Sequence, residues 1–567
     1  MTSQEQEAIG SMVDVGMRDV GRPQDRSGAA MRWRRGRGAA ASAAVVAAAL
    51  FVLLGSVSIG KQGPYYDELH QAAGAFTWTG AKPSLFCRVS IDGWCVLNMS
   101  YSGAIKTNLY GAYLRLTAAP FTLKSWRRLA LWSVAVGLAG FGVLASRTLG
   151  PAAMAVACLF VVLDTSVLLM SRFDWGPVAL GAALRLLLLG TWLSMRPGDA
   201  QANRARFAFG LLCGLATFEK LSSSVLLPVA PALMFLDARA GERVRAAAAA
   251  ASGVAVGLLP LVALNVRSYL RGEGLVSLAD TAPAIERSWA GLQMLFAEYL
   301  KLGQGGAARG FTLAAGTDPR LDVMETALML ATSLLVVAIG TGAASSGSVA
   351  LRRGALCMLA YWMIGLELFF LPKETWVHHW IIGTPFQYVG VALCLQGLLT
   401  GTLRRRHLAL GGTVLVGAIA VTWLATRLPT MIQTIAAVRS DTAGLGFDRS
   451  FKDLGRFAAR KSSDAVFVAS TWGVGLQIHS YAGGKAGLVE EIFWNYRDAD
   501  DVDRIWRESG KRELWVVGAR LHLPAALDVA SRLDTDVAAD RRWQPIATPE
   551  EFRDASRLTV RGFVRSE

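Results

Sequence analysis

Two adjacent carboxylates directly follow the first long apolar segment of the chain. Asp67 and Glu68 lie within the polar stretch 65–71, just after an apolar run at 39–59. Charged side chains at the mouth of a membrane helix are costly, and they usually serve a function where they occur. A carboxylate in this position can accept a proton from an attacking hydroxyl group. The alternative interpretation is an ordinary solvated pair in a loop.

Three later polar segments carry further groups that can do chemistry. They are the stretch 171–177 with Arg172, Asp174 and Trp175, the interruption at Glu219 and Lys220, and the stretch 371–380 with Lys373, Glu374, His378 and His379. Cationic side chains bind phosphate, and imidazoles bind protons or metals. Structural interpretations stay open for all of them: an Arg172–Asp174 salt bridge, a snorkelling Lys220, and histidines bonded to the backbone.

The composition predicts a protein that crosses a membrane many times. Of the 567 residues, 53% are hydrophobic and only 18% are charged, which is too apolar for a soluble globular chain. The net charge is +15, from 58 basic and 43 acidic residues. Basic cytoplasmic loops account for such an excess, and no fingerprint of a nucleic-acid-binding module is present. We therefore expect no nucleic-acid partner.

About eleven membrane-spanning helices are predicted, each needing about 20 apolar residues. They lie near 39–59, 127–146, 150–169, 174–194, 206–219, 222–237, 246–266, 322–341, 354–371, 379–399 and 407–426. The basic cluster at 32–37 favours a cytoplasmic N-terminus in a bacterial inner membrane. This route brings the polar segments named above to the outer face. The stretch 103–120, which contains Lys106, is predicted to lie in the membrane interface.

Three parts of the chain are expected to differ in structure. Residues 1–38 form an unstructured cytoplasmic N-terminus, residues 39–426 form the membrane domain, and residues 427–567 form an extracytoplasmic α/β domain. The last assignment rests on strand-like runs at 465–469 and 514–517 that alternate with amphipathic helical patterns. In the outer loop after the first helix, Cys87 and Cys95 favour a disulfide because that compartment is oxidising. Two free thiols are the alternative.

The ordered set of motifs resembles the GT-C membrane glycosyltransferases, the class of the protein O-mannosyltransferases and the lipid A aminoarabinose transferase. The resemblance covers about residues 39–400 and rests on Asp67-Glu68, the stretch 103–106, the stretch 172–177, the break at Lys220 and the two histidines. It implies Asp67 as the catalytic base, with Glu68 orienting Asp67 or the acceptor. The implied contacts to a donor phosphate are Arg172, Lys220, Lys373, His378 and His379, and the implied substrate contacts are Asp174, Trp175, Lys106 and Glu374.

The resemblance also implies a reaction. A polyprenyl-phosphate-linked sugar would be passed, with inversion, to a lipid, glycan or protein acceptor at the outer face. Asp67, Glu68 and His378 are candidate ligands for a divalent metal such as Mg or Mn, and the sequence leaves metal dependence open. The rival hypotheses are a transporter or flippase of polyprenyl-linked sugars and a sensor that works through its α/β tail.

Overall fold

The computed structural model describes most of the chain in separate stretches. They are residues 26–65, 68–81, 87–195, 202–276, 288–302, 319–342, 348–371, 375, 377–400, 406–440, 449–485, 487–493, 495–519, 524–553 and 558–566. Three predicted site residues, Asp67, Lys373 and Glu374, lie outside these stretches.

Fifteen helices of the described residues precede the α/β domain. They are α1 (Arg26–Ser56), α2 (Ile105–Thr117), α3 (Leu123–Ala145), α4 (Pro151–Val162), α5 (Thr165–Phe173), α6 (Val178–Ser194), α7 (Ala202–Glu219), α8 (Leu226–Asp237), α9 (Arg243–Leu270), α10 (Trp289–Leu302), α11 (Pro319–Gly342), α12 (Val349–Leu368), α13 (Val377–Trp380), α14 (Thr384–Leu399) and α15 (Arg406–Ser440). Short 3-10 helices lie at Ala73–Thr79, Leu221–Val225 and Ala240–Glu242. Three short strands, β1 (Val89–Ile91), β2 (Trp94–Met99) and β3 (Ser102–Gly103), lie between α1 and α2.

Seven helices among the described residues are long and apolar enough to cross a membrane, and an eighth span results if α4 and α5 count as one helix. These two helices are bent by 56° at a short break. The stretches Val178–Ser194 and Leu221–Asp237 are apolar but shorter. The protein is thus a polytopic helical membrane protein as predicted, whereas the expected number of eleven spans is not confirmed.

Two helix ends differ from the prediction. The first helix begins at Arg26 rather than at 39, and the last membrane helix continues to Ser440 instead of ending at 426. The predicted boundary at 427 therefore lies inside α15, which continues past Pro429. The predicted break at Lys220 is confirmed, since α7 ends at Glu219 and a 3-10 helix follows.

Small residues let α7 and α9 pack at backbone distance. Gly210 and Gly214 on α7 face α9, where Gly253 and Gly257 provide the matching surface. A Cβ atom on Gly257 would lie 2.7 Å from the carbonyl oxygen of Leu211, and one on Gly253 would overlap the carbonyl group of Phe207. Glycines spaced by four residues are a common means of close helix association in membranes.

The C-terminal part forms the predicted α/β domain. Its elements are α16 (Ser450–Arg460), β4 (Ala465–Ala469), α17 (Val474–Tyr481), β5 (Val489–Glu491), α18 (Ala499–Ser509), β6 (Glu513–Ala519), α19 (Pro524–Ala539), β7 (Trp543–Ile546), α20 (Glu550–Arg553) and β8 (Leu558–Arg565). The sheet order is β5-β4-β6-β8-β7; β4 is parallel to β5 and β6, whereas β8 is antiparallel to β6 and β7. Apolar side chains cover both faces of this sheet.

The loop after β4 has the strand–loop–helix form that binds anions in other α/β domains. Here Glu491 fills that position, because its carboxylate accepts hydrogen bonds of 3.0 Å from the N–H groups of Gly473 and Gly475. A Cβ atom on Gly475 would lie 2.5 Å from Cγ of Glu491, so the loop and the acidic side chain fit closely. These backbone donors are therefore already occupied within the domain.

We predict that Gly253→Ala lowers the thermal stability of the detergent-solubilised protein, by about 1–3 kcal/mol, because the new methyl group must push α7 and α9 apart. Gly417→Ala is the matched control, since Gly417 lies within α15 and a Cβ atom there meets nothing within 4 Å. A melting curve that shows equal effects for the two variants would contradict the close packing of α7 and α9.

Candidate functional site

The connection between α1 and α3 is held by a buried ion pair. Glu68 and Arg127 are both inaccessible to solvent, with Nε of Arg127 2.6 Å from Oε1 of Glu68 and Nη2 2.8 Å from Oε2. The same guanidinium donates to the carbonyl oxygens of Ile59, Gln62 and Gly63 at 2.8–3.0 Å. The backbone on both sides of the Asp67 position is thus fixed, since Glu68 Oε2 also accepts from the N–H of Tyr65.

A second buried arginine caps the end of α1. Arg172, at the end of α5, donates to the carbonyl oxygens of Gly55, Val57 and Ser58 and to Oε1 of Gln62. The last carbonyl groups of a helix have no partner within the helix, and a cation there is favourable. The Arg172 side chain is therefore mostly engaged in joining α5 to α1, and it makes no salt bridge with Asp174 in the structure.

A second buried ion pair joins Lys106 to Asp174. Both side chains are about 1% exposed, and the ammonium also lies 3.5 Å above the ring of Trp126. Burial lowers the pKa of Lys106, although the carboxylates of Asp174, Glu68 and Glu219 act against this shift. Asp174 Oδ1 additionally accepts from the N–H of Ala179 in the first turn of α6 at 2.8 Å. The pair therefore connects the starts of α2 and α6.

Glu219, at the end of α7, holds the other side of α2. Its two carboxylate oxygens accept from the N–H groups of Ile105 and Lys106 at 2.9 and 3.1 Å. A carboxylate at a helix N-terminus satisfies unpaired N–H groups and is stabilised by the helix dipole. The chain next to Glu219 pairs with β3, through a bridge between Ser102 and Lys220. This arrangement sets the backbone of Lys220 beside the loop that follows α1.

Lys220 reaches the turn between α5 and α6. Its ammonium donates to the carbonyl oxygen of Trp175 at 3.4 Å. Gly176 has a φ of +77°, and a Cβ atom there would lie only 2.7 Å from Nζ of Lys220 and 3.4 Å from Cε1 of His70. The positive φ favours glycine here, and the distances show that the Lys220 and His70 side chains both lie against this turn. A half-buried ammonium and a buried imidazole thus meet at this turn.

Aromatic rings line the same region. Trp175 stacks on Tyr65 with ring centroids 4.3 Å apart, and the ring of His378 meets Trp175 edge-on at 6.2 Å. His379 follows with its ring centroid 3.9 Å from that of His378. Lys220 and His70 are near enough to His378 for their charges to interact. The two histidines are therefore neighbours of Lys220.

The remaining part of the α1–α3 connection forms a small disulfide-linked sheet. Its strands are β1 (Val89–Ile91), β2 (Trp94–Met99) and β3 (Ser102–Gly103), and a disulfide joins Cys87 to Cys95, the pairing that the sequence favours. Gln71 links this sheet to the loop of Glu68, because its side-chain Nε2 donates to Oγ of Ser102 at 2.8 Å. Its main-chain carbonyl oxygen accepts from the hydroxyl group of Thr107 at 2.7 Å.

The candidate metal ligands do not form a metal site in the described part of the chain. No group of three or more His, Cys, Asp or Glu side chains there is arranged to hold an ion. Glu68 gives both carboxylate oxygens to Arg127, so this side chain does not fit the role of a ligand. Asp67, the other candidate carboxylate, lies outside the described residues.

Two sets of predicted site residues emerge from this geometry. Lys220, Trp175, His378 and His379 surround one small region, whereas Glu68, Arg172, Lys106 and Asp174 are engaged in buried structural contacts around it. Sequence reasoning assigned no role to His70 and Arg127. His70 stands three positions after Asp67, and Arg127 is the first residue of the second predicted span. Both positions could have drawn attention to these side chains.

We predict that Glu68→Gln destabilises the protein by about 3–5 kcal/mol, because removal of one partner leaves the charge of Arg127 buried and uncompensated. Thermal unfolding in detergent measures this effect. The double variant Glu68→Gln/Arg127→Met should recover part of the loss. If Glu68 instead acts mainly on substrate, the melting temperature of the single variant would stay at the wild-type value.

Comparison with known proteins gives structural matches only. No protein-family profile matches the chain, and no curated protein matches its sequence. ArnT from Cupriavidus metallidurans in the apo state is similar in structure, with a TM-score of 0.55, 15% identity, and coverage of 91% of this chain and 97% of that chain. Its complex with undecaprenyl phosphate has a TM-score of 0.53 at the same identity and coverage.

A third similar structure is the arabinofuranosyltransferase AftD from Mycobacteria. Its TM-score is 0.51 and its identity 12%, over 92% of this chain and 40% of that chain. Identities this low establish similarity of fold and nothing further. Both similarities extend over about nine tenths of this chain. The chain therefore has the GT-C fold of membrane glycosyltransferases.

Proposed function

We propose that the protein is a glycosyltransferase that takes a sugar from a polyprenyl-phosphate donor and passes it to an acceptor. The observation that carries this proposal is the meeting of Lys220 and His70 at the turn of Gly176, beside the loop that contains Asp67. A partly desolvated ammonium is suited to a lipid phosphate. Support also comes from the similar fold of ArnT, which has been seen with undecaprenyl phosphate.

The proposed reaction is a single in-line displacement. An acceptor hydroxyl attacks the anomeric carbon while its proton passes to Asp67, and the bond from that carbon to the phosphate oxygen breaks. The electron pair leaves with the phosphate, whose negative charge is stabilised by Lys220. Because attack and departure occur on opposite sides, the anomeric configuration inverts. The departing phosphate is already a stable anion, so the reaction needs no strong general acid.

The other predicted residues divide between contact and support in this proposal. Trp175, His378 and His379 face the donor, with Lys373 and Glu374 as further predicted contacts from the same connection. Glu68 orients the loop of Asp67 through Arg127. Arg172 and the pair of Lys106 with Asp174 support the helix ends around the site. We derive no step through a metal ion, because Glu68 is already bound on both oxygens.

We further propose that the reaction takes place at the outer face of a bacterial inner membrane, with the N-terminus in the cytoplasm. The basic residues 32–37 before the first apolar segment and the disulfide in the loop after α1 support this orientation. The lipid donor would enter from the membrane. The acceptor is a lipid, a glycan or a protein that is present in the same compartment.

Asp67→Asn should lower the rate of sugar transfer by about 100-fold or more, because the amide cannot accept the proton of the acceptor hydroxyl. The assay supplies purified protein with a panel of radiolabelled polyprenyl-phosphate sugars and cell-envelope acceptors. Asp92→Asn is the matched control, since Asp92 is exposed in the β1–β2 turn of the same connection. Full activity of the Asp67 variant would remove the base assignment. Movement of the lipid-linked sugar across vesicle membranes without transfer would favour the flippase hypothesis.

Lys220→Ala should weaken use of the donor more than use of the acceptor. Loss of one charge-assisted contact to phosphate corresponds to an increase of about tenfold or more in the KM for the donor. Inhibition by undecaprenyl phosphate should weaken by a similar factor. Lys124→Ala provides the control, because Lys124 is an exposed lysine at the start of α3, near the same end of α1. Equal effects on donor and acceptor would argue against a role in phosphate binding.

A further inference from the structure

Helix α17 of the α/β domain packs directly on the connection that contains Asp67. Gln477 Nε2 donates to the carbonyl oxygen of Tyr65 at 3.3 Å, two positions before Asp67. Two residues further along α17, His479 hydrogen-bonds the backbone of Ala73. One helix of the α/β domain thus contacts this connection on both sides of the Asp67–Glu68 pair.

Aromatic contacts extend this interface. The ring of His479 meets Phe76 edge-on with centroids 5.7 Å apart, and Tyr481 meets Phe121 in the same way at 5.3 Å. Tyr481 is also near enough to Glu68 and Arg127 to interact with their charges. Gln477 and His479 are both nearly inaccessible to solvent, and burial lowers the pKa of His479 to about 4. Both side chains are therefore shielded from solvent, and the low pKa keeps His479 neutral at physiological pH.

The turn after α17 makes the closest approach. Gly484 has a φ of +80°, and a Cβ atom there would overlap the Cβ atom of Phe76 and lie 3.1 Å from that of Ala81. Gly483 also has a positive φ, of +69°, but a Cβ atom there meets nothing within 4 Å. The two adjacent glycines have similar backbone conformations, but only at Gly484 would a Cβ atom collide with the connection after α1.

We propose that the α/β domain is an integral part of the catalytic centre, and that Gln477 is a positioning residue for the loop of Asp67. Because α17 holds Tyr65 and Ala73, it limits the positions that the intervening carboxylates can occupy. A displacement of a catalytic group by about 1 Å costs on the order of 100-fold in rate. This inference rests on the proposed transfer reaction for its kinetic part, whereas its structural part stands independently.

The test compares Gly484→Ala with Gly483→Ala in the full-length protein. Both variants place a side chain at a positive φ and therefore carry similar backbone strain, but only Gly484→Ala pushes the α/β domain away from Phe76. Hydrogen–deuterium exchange should increase in peptides covering residues 65–79 for Gly484→Ala alone. Gln477→Leu, which keeps the side-chain volume and removes the hydrogen bond to Tyr65, should increase exchange near Tyr65.

Kinetic measurements on the same variants distinguish a residue that positions the loop of Asp67 from one that only stabilises the fold. Gly484→Ala and Gln477→Leu should lower kcat by about 10- to 100-fold while the KM for the donor stays within about twofold of wild type. Gln477→Asn, which keeps an amide on a shorter side chain, should recover part of kcat. Gly483→Ala should retain wild-type kcat.

Two outcomes would overturn the inference. The first is unchanged exchange at 65–79 in Gly484→Ala, because the α/β domain would then not hold the connection. The second is increased exchange with unchanged kcat, because contact would then not position the catalytic loop. If the wild-type protein transfers no sugar from any donor, the proposed function fails, and the exchange measurement still decides whether α17 holds the connection.

Discussion

The ion pair of Glu68 with Arg127 is the interaction on which the rest of the site depends. It lies fully out of solvent, and its guanidinium also binds three carbonyl groups of the chain that leaves α1. A buried ion pair is stable only when its hydrogen bonds are satisfied, and here nearly every donor has an acceptor. The chain at Tyr65 and at Glu68 is thereby tied to the start of α3. The proposed chemistry of Asp67 depends on this restraint, because a general base must keep a defined position.

The sequence predicted which segments would meet, but not how their charges would be used. Asp67 and Glu68 are neighbours in the chain, and nothing in the local sequence predicts that Glu68 forms a buried ion pair with an arginine 59 positions away. Arg127 was visible only as a basic residue at the start of the second predicted span. Lys106 and Asp174, expected to bind substrate, neutralise each other instead. Pairing of this kind depends on tertiary contacts, which local spacing does not encode.

The fold itself was more accessible to prediction than its details. Apolar runs located most helices, the break at Lys220 and the α/β character of the C-terminal part. The number of spans and the end of α15 were not predictable, since hydropathy alone does not separate a short or bent helix from a complete span. The contact of Gln477 with Tyr65 joins residues 412 positions apart, so no motif could have linked the α/β domain to the connection after α1.

The carboxylate of Glu491 has a consequence for how the α/β domain responds to small molecules. A phosphate or nucleotide sugar that reached the loop of Gly473 and Gly475 would compete with an anion attached to the same polypeptide. Such a tethered group acts at an effective concentration on the order of 1 mM. Soluble phosphates at ordinary levels would thus rarely displace it. A free anion would therefore bind weakly at this loop, where Glu491 already accepts from both N–H groups.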